Sequence, residues 1–139
     1  MKRLFLDANV IFSAALSAKG RCRGLFRLAE QGYCQLVTSP HALTEAERNL
    51  VAKYPQALAV YQEQLLPLVV PVTEASREKV EWAMGLGLPL KDAPILAAAV
   101  LASVDVLVTG DRRHFGDLYN QTIQGVMVLT PQSALRLLL

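Results

Sequence analysis

Five short apolar runs, Arg3–Leu6, Cys34–Val37, Leu68–Val72, Val104–Val108 and Val126–Leu129, alternate along the chain with longer stretches of helical periodicity. Few folds accommodate that alternation. A tight turn returns a strand antiparallel, whereas strands joined through helices run parallel, and a parallel sheet must be covered on both faces. The pattern predicts an α/β domain of three layers, with a parallel five-stranded sheet flanked by helices. Helices are expected over Val10–Leu16, Arg21–Gln31, Pro40–Ala52 behind Ser39, Gln56–Leu66, Glu74–Met84 with Thr73 as its cap, Ala93–Ser103, and from Pro131 onward. Ala93–Ser103 is apolar nearly all round, which marks it as buried. No repeat, low-complexity tract or linker interrupts the 139 residues, of which 53% are apolar, so residues 1–139 are expected to form a single domain.

Bulk charge says little about partners, since 14 basic against 12 acidic residues leave only +2. Cys22 and Cys34 match neither a CxxC pair nor a zinc ladder, and fit idle thiols in a reducing compartment. Lys2 and Arg3 ahead of an apolar stretch imitate a secretory signal, but Asp7 and Asn9 oppose its partition into a membrane. The longest strongly apolar run, Ala93–Val104, falls short of the roughly 20 residues a membrane helix needs. A soluble, cytoplasmic protein without a membrane partner is expected.

The acids carry the chemistry. In open α/β sheets the ligand site lies beyond the carboxyl ends of the strands, where strand order reverses. Asp7 follows the first strand directly, Asp111 follows the fourth after Thr109 and Gly110, and Asp92 opens the buried helix that feeds it. Glu45 and Glu47 lie early in the helix after the second strand. They sit about 200° apart around that helix, so only one faces a given site, and the apolar positions Leu43, Ala46 and Leu50 lean toward Glu47. Each Asp taken alone is also an ordinary N-cap or turn residue. Together they form a carboxylate cluster that repels itself unless cations neutralise it, and oxygen-only ligands suit Mg²⁺ or Mn²⁺. Two such ions serve phosphodiester hydrolysis, with an activated water as nucleophile.

The ordered set Leu6-Asp7-Ala8-Asn9-Val10, Glu45-Ala46-Glu47-Arg48-Asn49-Leu50, Lys91-Asp92-Ala93-Pro94-Ile95-Leu96 and Val108-Thr109-Gly110-Asp111 resembles PIN-domain nucleases, and is similar in particular to VapC-type toxins. The resemblance runs over essentially the whole chain, through Phe115 and Leu129-Thr130-Pro131. It implies a sheet of order 3-2-1-4-5, a divalent-metal-dependent ribonuclease, and inhibition by a small antitoxin protein. By its spacing Asp7, Glu45, Asp92 and Asp111 are the metal ligands and catalytic acids, with Asn9 and Thr109 in support. Ala8 stands where the family commonly carries Thr or Ser. The family's further acid soon after the last Asp is missing, the nearest being Asp117, a doubtful substitute.

Lys19, Arg21 and Arg23, together with Arg112 and Arg113, are candidates for contacting an RNA backbone. His41 and His114 read as surface or packing residues, because no other His or Cys completes a ligand set. The aromatic residues read as packing. A homodimer is expected from the apolar, leucine-rich C-terminus. Two other functions remain consistent with the fold: a non-catalytic binding module, and a Mg²⁺-dependent phosphotransfer domain. Asn9 speaks against the second, since it occupies a position where a phosphotransfer enzyme of the haloacid-dehalogenase kind carries a second Asp.

Overall fold

The computed structural model describes all residues, 1–139. A six-stranded sheet runs in the order β3-β2-β1-β4-β6-β5, built from β1 (Lys2–Leu6), β2 (Cys34–Thr38), β3 (Val69–Pro71), β4 (Val106–Val108), β5 (Thr122–Ile123) and β6 (Val126–Leu129). The first four strands and β6 are mutually parallel. Their order is the expected 3-2-1-4-5, and the α/β class is as the sequence predicts. The strand count is not. Thr122–Ile123 adds a sixth, antiparallel strand at the edge, paired with β6. Its hairpin turns at Gln124 and Gly125, both with positive φ (49° and 86°), the conformation that matches strand twist in a two-residue turn.

The helices are α1 (Ala8–Leu16), α2 (Arg21–Glu30), α3 (Pro40–Lys53), a single turn α4 (Leu58–Val60), α5 (Arg77–Met84), α6 (Ala93–Leu101), a short α7 (Arg112–Phe115) and α8 (Pro131–Leu138). Two expectations are corrected. The helix expected over Gln56–Leu66 is helical but irregular, passing from a 3₁₀ turn at Pro55–Ala57 through α4 into a π turn at Tyr61–Leu65 and a second 3₁₀ turn at Leu66–Leu68. The cap of the next helix is Ser76 rather than Thr73, its Oγ accepting from the Lys79 N–H at 3.3 Å. That shift leaves the segment from Val72 to Ala75 outside the helix.

The core is fixed by the central strands. Leu4, Phe5 and Leu6 of β1 and all of β4 are buried on both faces, as a doubly covered parallel sheet requires. Ala97, Ala98 and Ala99 of α6 are completely buried, so small side chains let that helix lie close against its neighbours. Phe115 is fully buried as well; burying a ring of that size contributes roughly 2–3 kcal/mol and anchors the segment following β4. No helix is long and apolar enough to cross a membrane.

Strand order reverses between β1 and β4. From β1 the chain steps outward through β2 and β3 on one side, and β4 begins the other. The two strands pair in register Leu6↔Val108, and the Asp7 N–H extends the ladder to the Val108 carbonyl at 3.0 Å. The residues just beyond, Asp7 and Thr109 to Asp111, therefore meet at the reversal point.

Candidate functional site

An open cleft of about 480 Å³ lies at that point, bordered by Asp7, Asn9, Phe12, Ser13, Glu45, Asn49, Lys53, Lys91, Asp92, Gly110 and Asp111 among others. All four expected acids line it, each from a different element. Asp7 caps α1. Its Oδ1 accepts from the Ala8 N–H at 2.7 Å, while Oδ2 accepts from the Thr109 hydroxyl at 2.8 Å and the Asn9 amide at 3.1 Å. The carboxyl is almost wholly buried, and desolvation raises its pKa to about 6, outweighing the Thr109 and Ala8 hydrogen bonds; the charges of Asp92 and Glu45 push the same way.

Asn9 and Thr109 fasten the two strand ends together. The Asn9 Oδ1 accepts from the Gly110 N–H at 2.8 Å, and the Thr109 Oγ1 accepts from the Asp111 N–H at 3.2 Å. The Tyr119 hydroxyl adds a further tie, donating to the Thr109 carbonyl at 2.7 Å. This ring does more than pack. Gly110 leaves room for Asn9, since a Cβ there would stand 3.3 Å from the Asn9 Oδ1, a tight approach.

The rotation of α3 puts Glu45 and Glu47 on different surfaces. Ala42, Ala46 and Leu50 are its buried positions, and Leu43 is only partly covered. The buried stripe is thus turned from the face that the sequence pattern defined. Glu45, Asn49 and Lys53, spaced by four, form one stripe along the cleft. Glu47 lies instead on an outer groove with Thr44 and Arg48. The Lys91 ammonium sits 3.1 Å from the Glu45 Oε1.

Asp92 precedes α6 but does not cap it. Its backbone is helical (φ −99°, ψ −23°) and its side chain makes no cap bond. The reason is local: a cap bonds the N–H of the second or third helical residue; the second, Pro94, has none, and the third, Ile95, gives its N–H to the Asp92 backbone carbonyl at 3.0 Å. The carboxylate is released into the cleft, where its Oδ2 is buried without a hydrogen-bond partner. That oxygen stands 2.9 Å from the His114 Nδ1, but the ring's hydrogen bond goes to the Asp111 Oδ2 at 2.8 Å. Burial raises the Asp92 pKa, His114 opposes the shift, and the neighbouring Asp111 charge adds to it.

Asp111 does act as a cap, its Oδ1 accepting from the Arg113 and His114 N–H groups at 3.1 Å each. Burial alone would raise its carboxyl, but hydrogen bonds and charge from His114 hold it below the ordinary carboxylate value. His114 is the residue that sequence reasoning missed. It is drawn into the site by α7, which begins at Asp111 and is pinned by Phe115. Asp92, Asp111 and His114 each offer a ligand atom within 4.8 Å of the others.

The remaining candidates divide. Asp117 is exposed and outside the cleft, with only its backbone carbonyl engaged, by Gln121. The Arg23 Nε donates to the Ala14 carbonyl at 2.7 Å, which ties that guanidinium to the end of α1. Lys19 borders a different groove, between α2 and α8. Arg113 is exposed and contacts the site through its backbone. Arg21 and Arg112 both line a groove that shares Cys22, Gly110 and Pro131 with the acidic cleft and so continues it. His41 remains at the surface, its Nε2 3.2 Å from the Lys91 carbonyl.

Residues 3–113 match the family model of the PIN domain. Among solved structures, PAE2754 from Pyrobaculum aerophilum superposes with a TM-score of 0.70 at 17% identity, over 99% of this chain and 96% of that one. VapBC2 from Rickettsia felis, solved bound to a DNA fragment from its promoter, gives 0.65 at 16% identity over 92% and 98%. VapC20 from Mycobacterium tuberculosis, a sarcin-ricin loop cleaving toxin, gives 0.56 at 18% identity over 82% and 94%. At these identities the likeness is one of fold. No curated protein sequence matches the chain.

Proposed function

The chain belongs to the PIN-domain family, and from that premise we propose that it is a divalent-metal-dependent endoribonuclease, the toxin of a VapBC-like pair, with Asp7, Glu45, Asp92 and Asp111 as its metal-holding acids. The observation that carries this reading is the convergence of four carboxylates from four elements on one cleft, with the Asp92 Oδ2 buried and receiving no hydrogen bond. A buried anionic oxygen without a donor is costly by itself. A divalent cation such as Mg²⁺ or Mn²⁺ fits that donor set. Once bound, it would offset the mutual repulsion of the carboxylates, polarise a phosphodiester and ease deprotonation of the attacking water.

The chain's own part is positioning. Thr109 and Asn9 orient the Asp7 carboxylate by donating to its Oδ2, and hydrogen bonds to ligating carboxylates of this kind tune their geometry. The Lys91 ammonium beside Glu45 supplies a compact positive charge at the rim, suited to phosphate. Arg21 and Arg112 continue that positive rim along the adjoining groove, the arrangement expected for an RNA backbone passing the acids. The Mycobacterium protein is a toxin that cleaves the sarcin-ricin loop, and that likeness supports RNA as substrate here. A small antitoxin protein, a homodimeric assembly and a cytoplasmic location belong to the same proposal.

The test is cleavage of a mixed RNA pool by purified protein with Mg²⁺, Mn²⁺ or EDTA, with Asp7→Asn alongside to expose contaminating ribonuclease. Metal-dependent cutting is expected from the wild type, with a loss of 10³-fold or more, an order-of-magnitude figure, in the variant. Cutting that survives both EDTA and the substitution would overturn the proposal. So would a folded wild type that cuts nothing with either metal.

A further inference from the structure

Outside the four acids, the imidazole of His114 stands against two of them. The His114 Nδ1 lies 2.8 Å from the Asp111 Oδ2 and 2.9 Å from the Asp92 Oδ2. A cation with ligand distances of about 2.1 Å and octahedral angles sets adjacent donors about 3 Å apart. Two edges of such a polyhedron are therefore already close to their final length. The Asp92 Oδ2 bears on the same point, since its side chain is only 7% exposed and it receives no hydrogen bond, the His114 Nδ1 at 2.9 Å being hydrogen-bonded to Asp111 instead.

We propose that Asp92, Asp111 and the imidazole Nδ1 of His114 together form a mixed nitrogen and oxygen site that prefers a first-row transition dication, such as Co²⁺ or Zn²⁺, over Mg²⁺. The proposal rests on the acidic cleft being a metal site and adds which ion it selects. Carboxylate oxygens suit Mg²⁺, whereas imidazole suits later, softer metals, and affinity for a nitrogen-containing site rises along the first row. Asp7 and Glu45 remain the oxygen-only part of the cleft. The ring needs little reorganisation to serve. Its backbone N–H is already bonded to the Asp111 Oδ1, Phe115 next to it is fully buried, and the side chain remains 31% exposed.

Calorimetric titration with Co²⁺ and with Mg²⁺, on wild type, His114→Gln and His41→Gln, reads the preference directly. Wild type should bind Co²⁺ at least about tenfold more tightly than Mg²⁺. His114→Gln should weaken Co²⁺ by about tenfold and leave Mg²⁺ within about twofold. His41→Gln should change neither. Proton NMR of the Co²⁺-loaded wild type gives the ligand itself, through a strongly shifted exchangeable resonance from the imidazole N–H opposite the coordinated nitrogen. The chain has two histidines, so that signal must vanish in His114→Gln and persist in His41→Gln. Should His114→Gln misfold, the wild-type spectrum and the His41→Gln control still decide. Equal Co²⁺ affinity in wild type and His114→Gln, or no shifted resonance, overturns nitrogen ligation and leaves the acidic metal site standing. A wild type that binds neither ion overturns both.

Discussion

The carboxyl of Asp7 is held where its charge is disfavoured, and that strain has a sign. Its folded pKa of about 6 exceeds the ordinary value near 3.8, chiefly through burial. A group raised in this way contributes stability that is fully present below its unfolded pKa and lost as pH rises through the folded one. Asp92 is shifted in the same direction. Asp111 is shifted oppositely, so its contribution is lost only as pH falls through its lowered value, outside this window. Metal-free protein should therefore melt several degrees higher at pH 5 than at pH 7.5. Two pH units of displacement correspond to roughly 3 kcal/mol at most. Asp7→Asn removes the charge but turns an amide NH₂ toward either the Ala8 N–H or the Thr109 and Asn9 donors, so the metal-free variant should gain only part of that, about 1 kcal/mol at pH 7.5, and show a flatter pH profile. Thermal denaturation in EDTA across that range checks it, and a variant less stable than wild type at pH 7.5 would contradict the account. The positions of Asp7 and Asp111 were legible because a strand end locates the residue after it. Glu45 could not be separated from Glu47 on apolar pattern alone, since α3 is turned so that Ala42 is buried while Leu43 packs on the core only in part. His114 was illegible for a different reason: its partner Asp92 is 22 positions distant, and Asp92 reads in sequence as a cap whereas its backbone is helical and its side chain caps nothing.

Among the elements, the parallel strands were readable because each is a short apolar run between helix boundaries that Gly, Pro or Ser marks. Strand β5 was not. It has only two residues, one of them exposed, and its turn is Gln124-Gly125 rather than the Asn-Gly that usually announces such a hairpin. The irregular segment Pro55–Leu68 was read as one smooth helix because periodicity over a dozen residues cannot register a change from 3₁₀ to π winding. The hairpin offers a test at this scale. Gly125 has φ 86° with nothing within 4 Å of where a Cβ would be, so Gly125→Ala meets backbone strain without a clash and should cost about 1–2 kcal/mol. Gln124, at φ 49°, should gain a few tenths of a kcal/mol, on the order of 0.3, on replacement by Asn, which tolerates that conformation better. Since β5 lies at the far edge of the sheet from β1, neither change should alter metal affinity. Chemical denaturation and a metal titration on both variants separate the two effects.

Over the whole molecule the small net charge conceals a division of labour. Acids gather in the cleft at the strand-order reversal, and the basic residues near it fall into two kinds. Arg23 and Arg27 donate to the Ala14 and Ala18 carbonyls at 2.7 and 2.6 Å, so they finish the end of α1 and its loop. Arg21 and Arg112 flank the groove continuous with the cleft. A sequence cluster of Lys19, Arg21, Arg23 and Arg27 thus looks uniform while serving different ends, because consecutive faces of α2 point to different neighbours. Charges lost from an RNA path should register as counterions no longer released. With the cleavage-impaired Asp7→Asn protein as background, Arg21→Ala and Arg112→Ala should each weaken binding of single-stranded RNA about equally across sequences. Each should also lower the slope of log affinity against log salt by about 0.7. Arg27→Ala, which removes a charge of the same sign from the structural pair, should leave the slope nearly unchanged. Fluorescence anisotropy of labelled oligonucleotides over a salt series at fixed divalent concentration distinguishes these outcomes. A slope that falls equally for Arg27→Ala would mean that RNA responds to the general positive field of α2, and the groove between Arg21 and Arg112 would lose its claim as the path.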